Sequence, residues 1–319
     1  MKLALIGYGN VGRALARLLR QKRRQFPFKI TGIHTLRHGT AIDPRGLAED
    51  PPMGPRAASI EAFLDAAQAQ IAVELTTLNP STGEPAIAHI RAAFARGMHV
   101  VTANKGPVAH CYAELREEAA RAGVKFRFES AVMDGAPIFN LWRDTMPGVN
   151  VLGFTGALNS TSKIVIETME RGGSFEDGLA EARRLGITEA DGTFDIEGWD
   201  SAAKTAALAN VLMDARTTPQ EVSTRGIARL TPERVQELKS KGKAVRLISR
   251  GKRTASRLSL RVRAEVLDRS DILACTPGTS NIILFHTDLM GTFGTISLDP
   301  QVEQTAYGVF SDLVSLLLP

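Results

Sequence analysis

The chain has 319 residues, enough for two ordinary domains with full cores, and its 44% hydrophobic and 23% charged content excludes a disordered or collagen-like polymer. The formal charge of +5 is modest, and aromatic residues are only 6%, which argues against nucleic acid and suits an anionic cofactor or substrate. No apolar run is long enough for a membrane span, Met1-Lys2 leads into a strand rather than a signal peptide, and Cys111 and Cys275 lack metal spacing, so the expectation is a cytoplasmic protein with no membrane partner.

The first strand is expected at Leu3-Ala-Leu-Ile, and it runs straight into Gly7-Tyr-Gly9-Asn10-Val11-Gly12 followed by a helical pattern. In that context G-x-G-x-x-G reads as a dinucleotide fingerprint. Gly7 allows the tight turn, Gly9 admits the pyrophosphate to the backbone, and Gly12 lets helix and strand pack closely. The pyrophosphate then sits on a helix N-terminus, where N–H groups and the dipole favour an anion.

Further strands are expected at 28–36, 70–76, 98–102 and 124–129, with helices at 60–70 and 84–96 between them. This alternation predicts a parallel sheet of Rossmann type. The segment 38–55, with several Pro and Gly, reads as a long loop. After about Ser130 the pattern changes to helices at 163–171, 175–185 and 200–213, then strands at 244–249, 258–267 and 281–286. The apolar spacing of 302–318 predicts a helix that packs back on the first domain. The reading is an α/β protein: a dinucleotide-binding domain over 1–130, completed by 300–319, and an α+β substrate-binding and dimerisation domain over 131–299.

In an NAD-preferring fold, an acid about 20 residues beyond the fingerprint ends the second strand and binds the ribose 2′-OH. Gly32-Ile-His-Thr35-Leu-Arg37-His38 contains none. Arg37, with Thr35 and His38, could face a 2′-phosphate instead, which favours NADP over the alternative NAD. Two later segments follow buried strands at their carboxyl ends, where ligands of open α/β sheets bind: Glu74-Leu-Thr76-Thr77 and Thr102-Ala-Asn104-Lys105.

The stretch from Gly186 to Lys204 holds five carboxylates and one lysine. Asp200 falls near the start of a helix, and Lys204 lies four positions on, on the same face. Such a pair could clamp a small zwitterion. By spacing alone, a capped helix with an ordinary salt bridge is the simpler reading. Gly156-Ala-Leu-Asn159-Ser160-Thr161-Ser162-Lys163 is a polar turn entering a helix, either an anion site or an N-cap.

The fingerprint, Thr102-Ala-Asn-Lys105, Gly156-Ala-Leu-Asn-Ser-Thr161, and Glu189 followed by Asp195, Asp200 and Lys204 together resemble homoserine dehydrogenase in order and rough spacing. The resemblance implies NAD(P)-dependent interconversion of L-aspartate 4-semialdehyde and L-homoserine, a step of amino-acid biosynthesis. It implies catalytic roles for Lys105, Lys204 and Asp200, and substrate contacts for Glu189, Asp195 and Thr161. Thr76 and Lys105 join the fingerprint and Arg37 at the cofactor. It further implies a homodimer, a short form without a regulatory domain, and a monovalent cation held near Glu129 and Val132. Ser160 and Lys163 depart from the family, which favours Gly and Asn there. Asp134 adds a charge near the cation position, the proline usual after Glu189-Ala-Asp191 is absent, and Gly291-Thr-Phe-Gly294 is less glycine-rich than usual. The alternatives are a reductase of another amino-acid-derived aldehyde, an NADP-sensing protein without turnover and, on the basic balance alone, a nucleic-acid binder.

Overall fold

The computed structural model describes residues 1–188, 192–254 and 257–317. It divides into two compact units: Met1–Thr145 joined by the C-terminal segment from Gln301, and Met146–Pro300.

The first unit is built on a six-stranded sheet of β1 (Lys2–Ile6), β2 (Lys29–Thr35), β3 (Gly39–Ile42), β4 (Ile71–Glu74), β5 (His99–Thr102) and β6 (Phe126–Arg127), in the order β3-β2-β1-β4-β5-β6. All pairings are parallel except β2–β3. The segment expected as one long loop therefore begins with a strand. Gly39-Thr-Ala-Ile is too short to display an alternating pattern, and Gly39 at φ 88° makes the turn that lays it antiparallel on β2. The order reverses between β2 and β4 at the carboxyl end of β1. This is the switch point where an open α/β sheet leaves a crevice for a ligand.

The helices of this part are α1 (Asn10–Lys22), α2 (Ile60–Ala67), α3 (Ala86–Phe94), α4 (Lys105–Arg121) and α5 (Phe139–Thr145). In α1 the buried Gly12, Leu15, Ala16 and Leu19 recur at helical spacing and face the sheet core of Leu3, Leu5, Ile33 and Val73.

The second unit comprises β7 (Val151–Ala157), α6 (Ser160–Glu170), α7 (Phe175–Arg184), α8 (Thr193–Ile196), α9 (Trp199–Leu212), β8 (Ser223–Arg225), α10 (Pro232–Ser240), β9 (Lys243–Arg253), β10 (Leu258–Asp268), β11 (Asn281–Thr287) and β12 (Thr292–Ser297). Its sheet runs β12-β11-β7-β9-β10-β8, antiparallel except for the β8–β10 pair. Helices α6, α9 and α10 pack on β9. The last helix, α11 (Val302–Ser315), belongs to the first unit and buries Val309, Phe310 and Leu313 in the core that α1 covers. Among the described residues, no helix is long and apolar enough to cross a membrane.

Candidate active site

The fingerprint adopts the conformation that its glycines permit. Gly7 sits at φ 96°, and a Cβ there would lie 2.6 Å from the Leu75 carbonyl oxygen, so only glycine fits. Gly9 is the N-cap of α1, and a Cβ there would meet nothing within 4 Å, which leaves the backbone open to an approaching anion. Gly12 packs under Tyr8 and Leu75. The first turn of α1, beginning at Asn10 and Val11, carries no acid. The residues therefore fit a pyrophosphate at this N-terminus.

The loops after β4 and β5 are tied together by a buried carboxylate that spacing alone did not flag. Glu74, 1% exposed, accepts hydrogen bonds from the Thr76 amide (3.1 Å), the Thr76 hydroxyl and the Thr102 hydroxyl (3.0 Å). Asn104 caps α4 by accepting from the Gly106 amide at 2.9 Å, and its Nδ2 donates to the Thr76 carbonyl at 3.2 Å. Thr76 and Asn104 are thus held against each other at the carboxyl edge of the sheet. Lys105, half-buried, opens α4 beside them.

A cavity of about 380 Å³ lies next to the fingerprint, lined by Tyr8, Arg13, Thr35, His38, Asp50, Pro51 and Met53. Thr35 and His38 line it, while Arg37 is exposed in the turn between them and is not among its lining residues. Asp50 is new. It pairs with Arg13 of α1, while Glu49 pairs with Arg20 at 3.1 Å and accepts the Tyr8 hydroxyl through its carbonyl. Burial, then the Asp50 charge, pushes the Tyr8 hydroxyl up to about 12.

In the second unit, the polar turn before α6 meets the carboxylates near α9. Asn159 is the N-cap of α6, accepting from the Ser162 amide at 2.7 Å. Its Nδ2 donates to Asp195 at 2.7 Å and to Asp200 at 3.1 Å. Thr161 and Thr188 each donate to the other Asp195 oxygen at 3.1 Å. Lys204 lies 3.3 Å from Asp200 and donates to the Leu158 carbonyl at 2.6 Å. The Lys204 and Asp200 side chains are only 15% and 17% exposed, so this is no solvated surface pair. Burial, then the neighbouring Asp200 charge, holds the Asp195 carboxyl above the usual aspartate range. The cluster joins two carboxylates and an ammonium in a partly dry site, a donor set matched to an amino acid bearing a carbonyl. Asn159 is the bridging residue that the spacing did not single out as a ligand. Thr161, 2% exposed, orients Asp195. Glu189 lies outside the described residues.

Ser160 and Lys163 both donate into the turn at 276–280. Ser160 Oγ reaches the Thr279 carbonyl at 2.8 Å, and Lys163 Nζ donates to the Thr276 carbonyl at 3.3 Å and to that of Ser280. Burial pulls the Lys163 ammonium down to about 8.

Glu129 is buried among donors of its own chain. Its carboxylate accepts the backbone amides of Ile138, Phe139 and Asn140, and its own amide donates to Asp312 of α11 at 2.7 Å. Val132 is buried beside it, and Asp134 accepts from the Thr305 hydroxyl at 3.3 Å. These contacts tie 129–140 to α11. They supply this buried carboxylate with donors from the chain itself. Among the described residues, no group of three or more His, Cys, Asp or Glu could hold a metal ion.

A Rossmann-type nucleotide unit, with a carboxylate–lysine cluster in a second α+β unit, defines an NAD(P)-dependent oxidoreductase. Two family models match the chain: homoserine dehydrogenase, NAD binding domain, over residues 7–129, and homoserine dehydrogenase over 137–314. The chain belongs to the homoserine dehydrogenase family. It is 35% identical over 338 residues to an NAD(+)-dependent homoserine dehydrogenase of Pseudomonas canavaninivorans, covering 99% of this chain and 96% of the relative. It is 35% identical over 337 residues to a homoserine dehydrogenase of Methanocaldococcus jannaschii, covering 99% and 98%. A solved structure of a hyperthermophilic archaeal homoserine dehydrogenase mutant in complex with NADPH superposes with a TM-score of 0.83 at 26% identity, covering 100% of this chain and 98% of that one.

Proposed function

We propose that this chain interconverts L-aspartate 4-semialdehyde and L-homoserine, with the Asp195–Asn159–Asp200–Lys204 cluster holding the amino-acid substrate. The observation that carries this reading is the pairing of a mostly buried Lys204 with Asp200 at 3.3 Å, bridged by Asn159 to Asp195. When bound, the nicotinamide ring supplies or accepts a hydride at the carbon that is aldehyde in one direction and alcohol in the other. The protein must then orient the substrate and manage one charge and one proton. Asp200 and Asp195 hold the substrate ammonium, and the resemblance gives Glu189 a substrate contact too. Lys204 places positive charge against the oxygen that becomes an alkoxide and exchanges a proton with it, directly or through water. The resemblance gives Lys105, at the carboxyl end of β5, a catalytic role as well. Holding the carbonyl in one orientation supplies several kcal/mol of the barrier.

The nucleotide lies with its pyrophosphate on Gly9 to Gly12, its nicotinamide end toward Thr76 and Lys105, and its adenosine end toward Thr35, His38 and Arg37. A homodimer is supported by the exposed Leu152, Val266 and Ile296 on strands of the second sheet. Two free cysteines suit a reducing cytoplasm. The test is aldehyde-dependent oxidation of NADPH and NADH by the purified protein, with light scattering for the dimer. Turnover with L-aspartate 4-semialdehyde and none with unrelated aldehydes is the expected result.

A further inference from the structure

The stretch at the end of β2 lacks the acid that normally selects NAD, which on sequence alone favours NADP. The fold brings a carboxylate to the same place from elsewhere. In a fold of this kind, the adenosine ribose sits outside the end of the second strand, beside the fingerprint. Here that space is the cavity lined by Tyr8, Arg13, Thr35, His38, Asp50, Pro51 and Met53. Asp50 arrives in the segment between β3 and α2, fifteen residues after Thr35 in sequence.

We propose that Asp50 is the specificity-determining acid of the cofactor pocket and turns the enzyme toward NAD and against NADP. The inference rests on the reading of the first unit as the dinucleotide site. Two physical effects act in the same direction. A fixed carboxylate accepts a hydrogen bond from a ribose hydroxyl and repels a 2′-phosphate, which carries one to two negative charges. The same carboxylate occupies Arg13, a cation that would otherwise be available to that phosphate. Asp50 is held in register by its neighbour: Glu49 is anchored to Arg20 and to Tyr8. Its own side chain is 71% exposed, so it has room to meet a ligand, and its effect is screened by salt. Arg37 stands exposed in the turn between Thr35 and His38, and its charge pulls the other way.

The experiment is calorimetric titration of NAD⁺ and NADP⁺, without substrate, into wild type, Asp50→Asn, Arg37→Ala and Gly9→Asp, at low and high salt. Asp50→Asn keeps the shape of the side chain and removes its charge. The expected result is NADP⁺ binding about tenfold tighter in Asp50→Asn, NAD⁺ binding changed by less than about threefold, and a larger shift at low salt. Arg37→Ala is expected to move the ratio the opposite way. An Asp50→Asn ratio equal to wild type, or weaker NADP⁺ binding in that variant, overturns the proposal. Gly9→Asp separates the two levels of failure. A Cβ at Gly9 meets nothing within 4 Å and its φ of −84° suits any residue, so the substitution sets a charge where the pyrophosphate approaches, with thermal unfolding to verify the fold. Loss of both nucleotides in Gly9→Asp with an unchanged Asp50→Asn ratio defeats the Asp50 proposal alone. Undiminished binding in Gly9→Asp defeats the dinucleotide reading and the proposal with it.

Discussion

Replacing Lys204 by Met removes one charge from a site where it is held tightly. The ammonium lies 2.6 Å from the Leu158 carbonyl and 3.3 Å from Asp200, with 15% of the side chain exposed. A positioned donor in such a partly dry site is worth about 2.7–4 kcal/mol to a developing oxyanion, or roughly 10²–10³ in kcat. The interaction strengthens as the aldehyde oxygen gains charge, so kcat should fall far more than KM rises. Met fills the space of the lysine stem, which limits the packing loss. The assay is steady-state loss of NAD(P)H absorbance against L-aspartate 4-semialdehyde, with thermal unfolding to verify the fold. Asp200→Asn is the counterpart: it weakens the ammonium contact and should raise KM as well. A Lys204→Met enzyme that keeps wild-type kcat would refute the role given to this lysine.

Other consequences follow from the same geometry. Lys163 titrates at about 8 when folded, against 10.5 for an unperturbed lysine, so between these values the unfolded chain binds a proton that the folded protein has lost. Stability therefore rises with pH across that window. Urea unfolding should move the difference between wild type and Lys163→Met toward wild type by about 2 kcal/mol from pH 8 to 10, and a flat difference would contradict it. Gly7→Ala meets a positive φ and a carbonyl 2.6 Å from the new Cβ. A loss of about 2 kcal/mol or more, with weaker nucleotide binding, is expected from chemical unfolding and titration. Glu74→Ala strands the Thr76 amide and two hydroxyls at the sheet edge. It should cost about 2–4 kcal/mol and raise the KM for the nucleotide; unchanged KM would mean that the loops hold without it.

What the chain reveals before folding depends on how far apart the partners lie. The fingerprint, the β-α alternation and the Asp200–Lys204 pair are local, so spacing alone exposes them. The end of β2 reads correctly as lacking an acid, yet Asp50 reaches that pocket through a strand and a loop that no periodicity announces. Asn159 bridges Asp195 and Asp200 across 36 and 41 residues, and its helix-cap role hides this second one. Glu74 looks like the polar end of a buried strand. Only the pairing of β4 with β5 brings Thr102 onto it. Lys163 reads as an ordinary polar residue near a helix start, because the carbonyls that bury it lie more than a hundred residues on.

The most direct test of the account is the initial rate of NADH and NADPH oxidation with L-aspartate 4-semialdehyde, with product identified as L-homoserine. Saturable oxidation is expected, with reversal when L-homoserine is supplied with the oxidised nucleotide. No oxidation of either nucleotide, by protein that calorimetry shows to bind them, would contradict it.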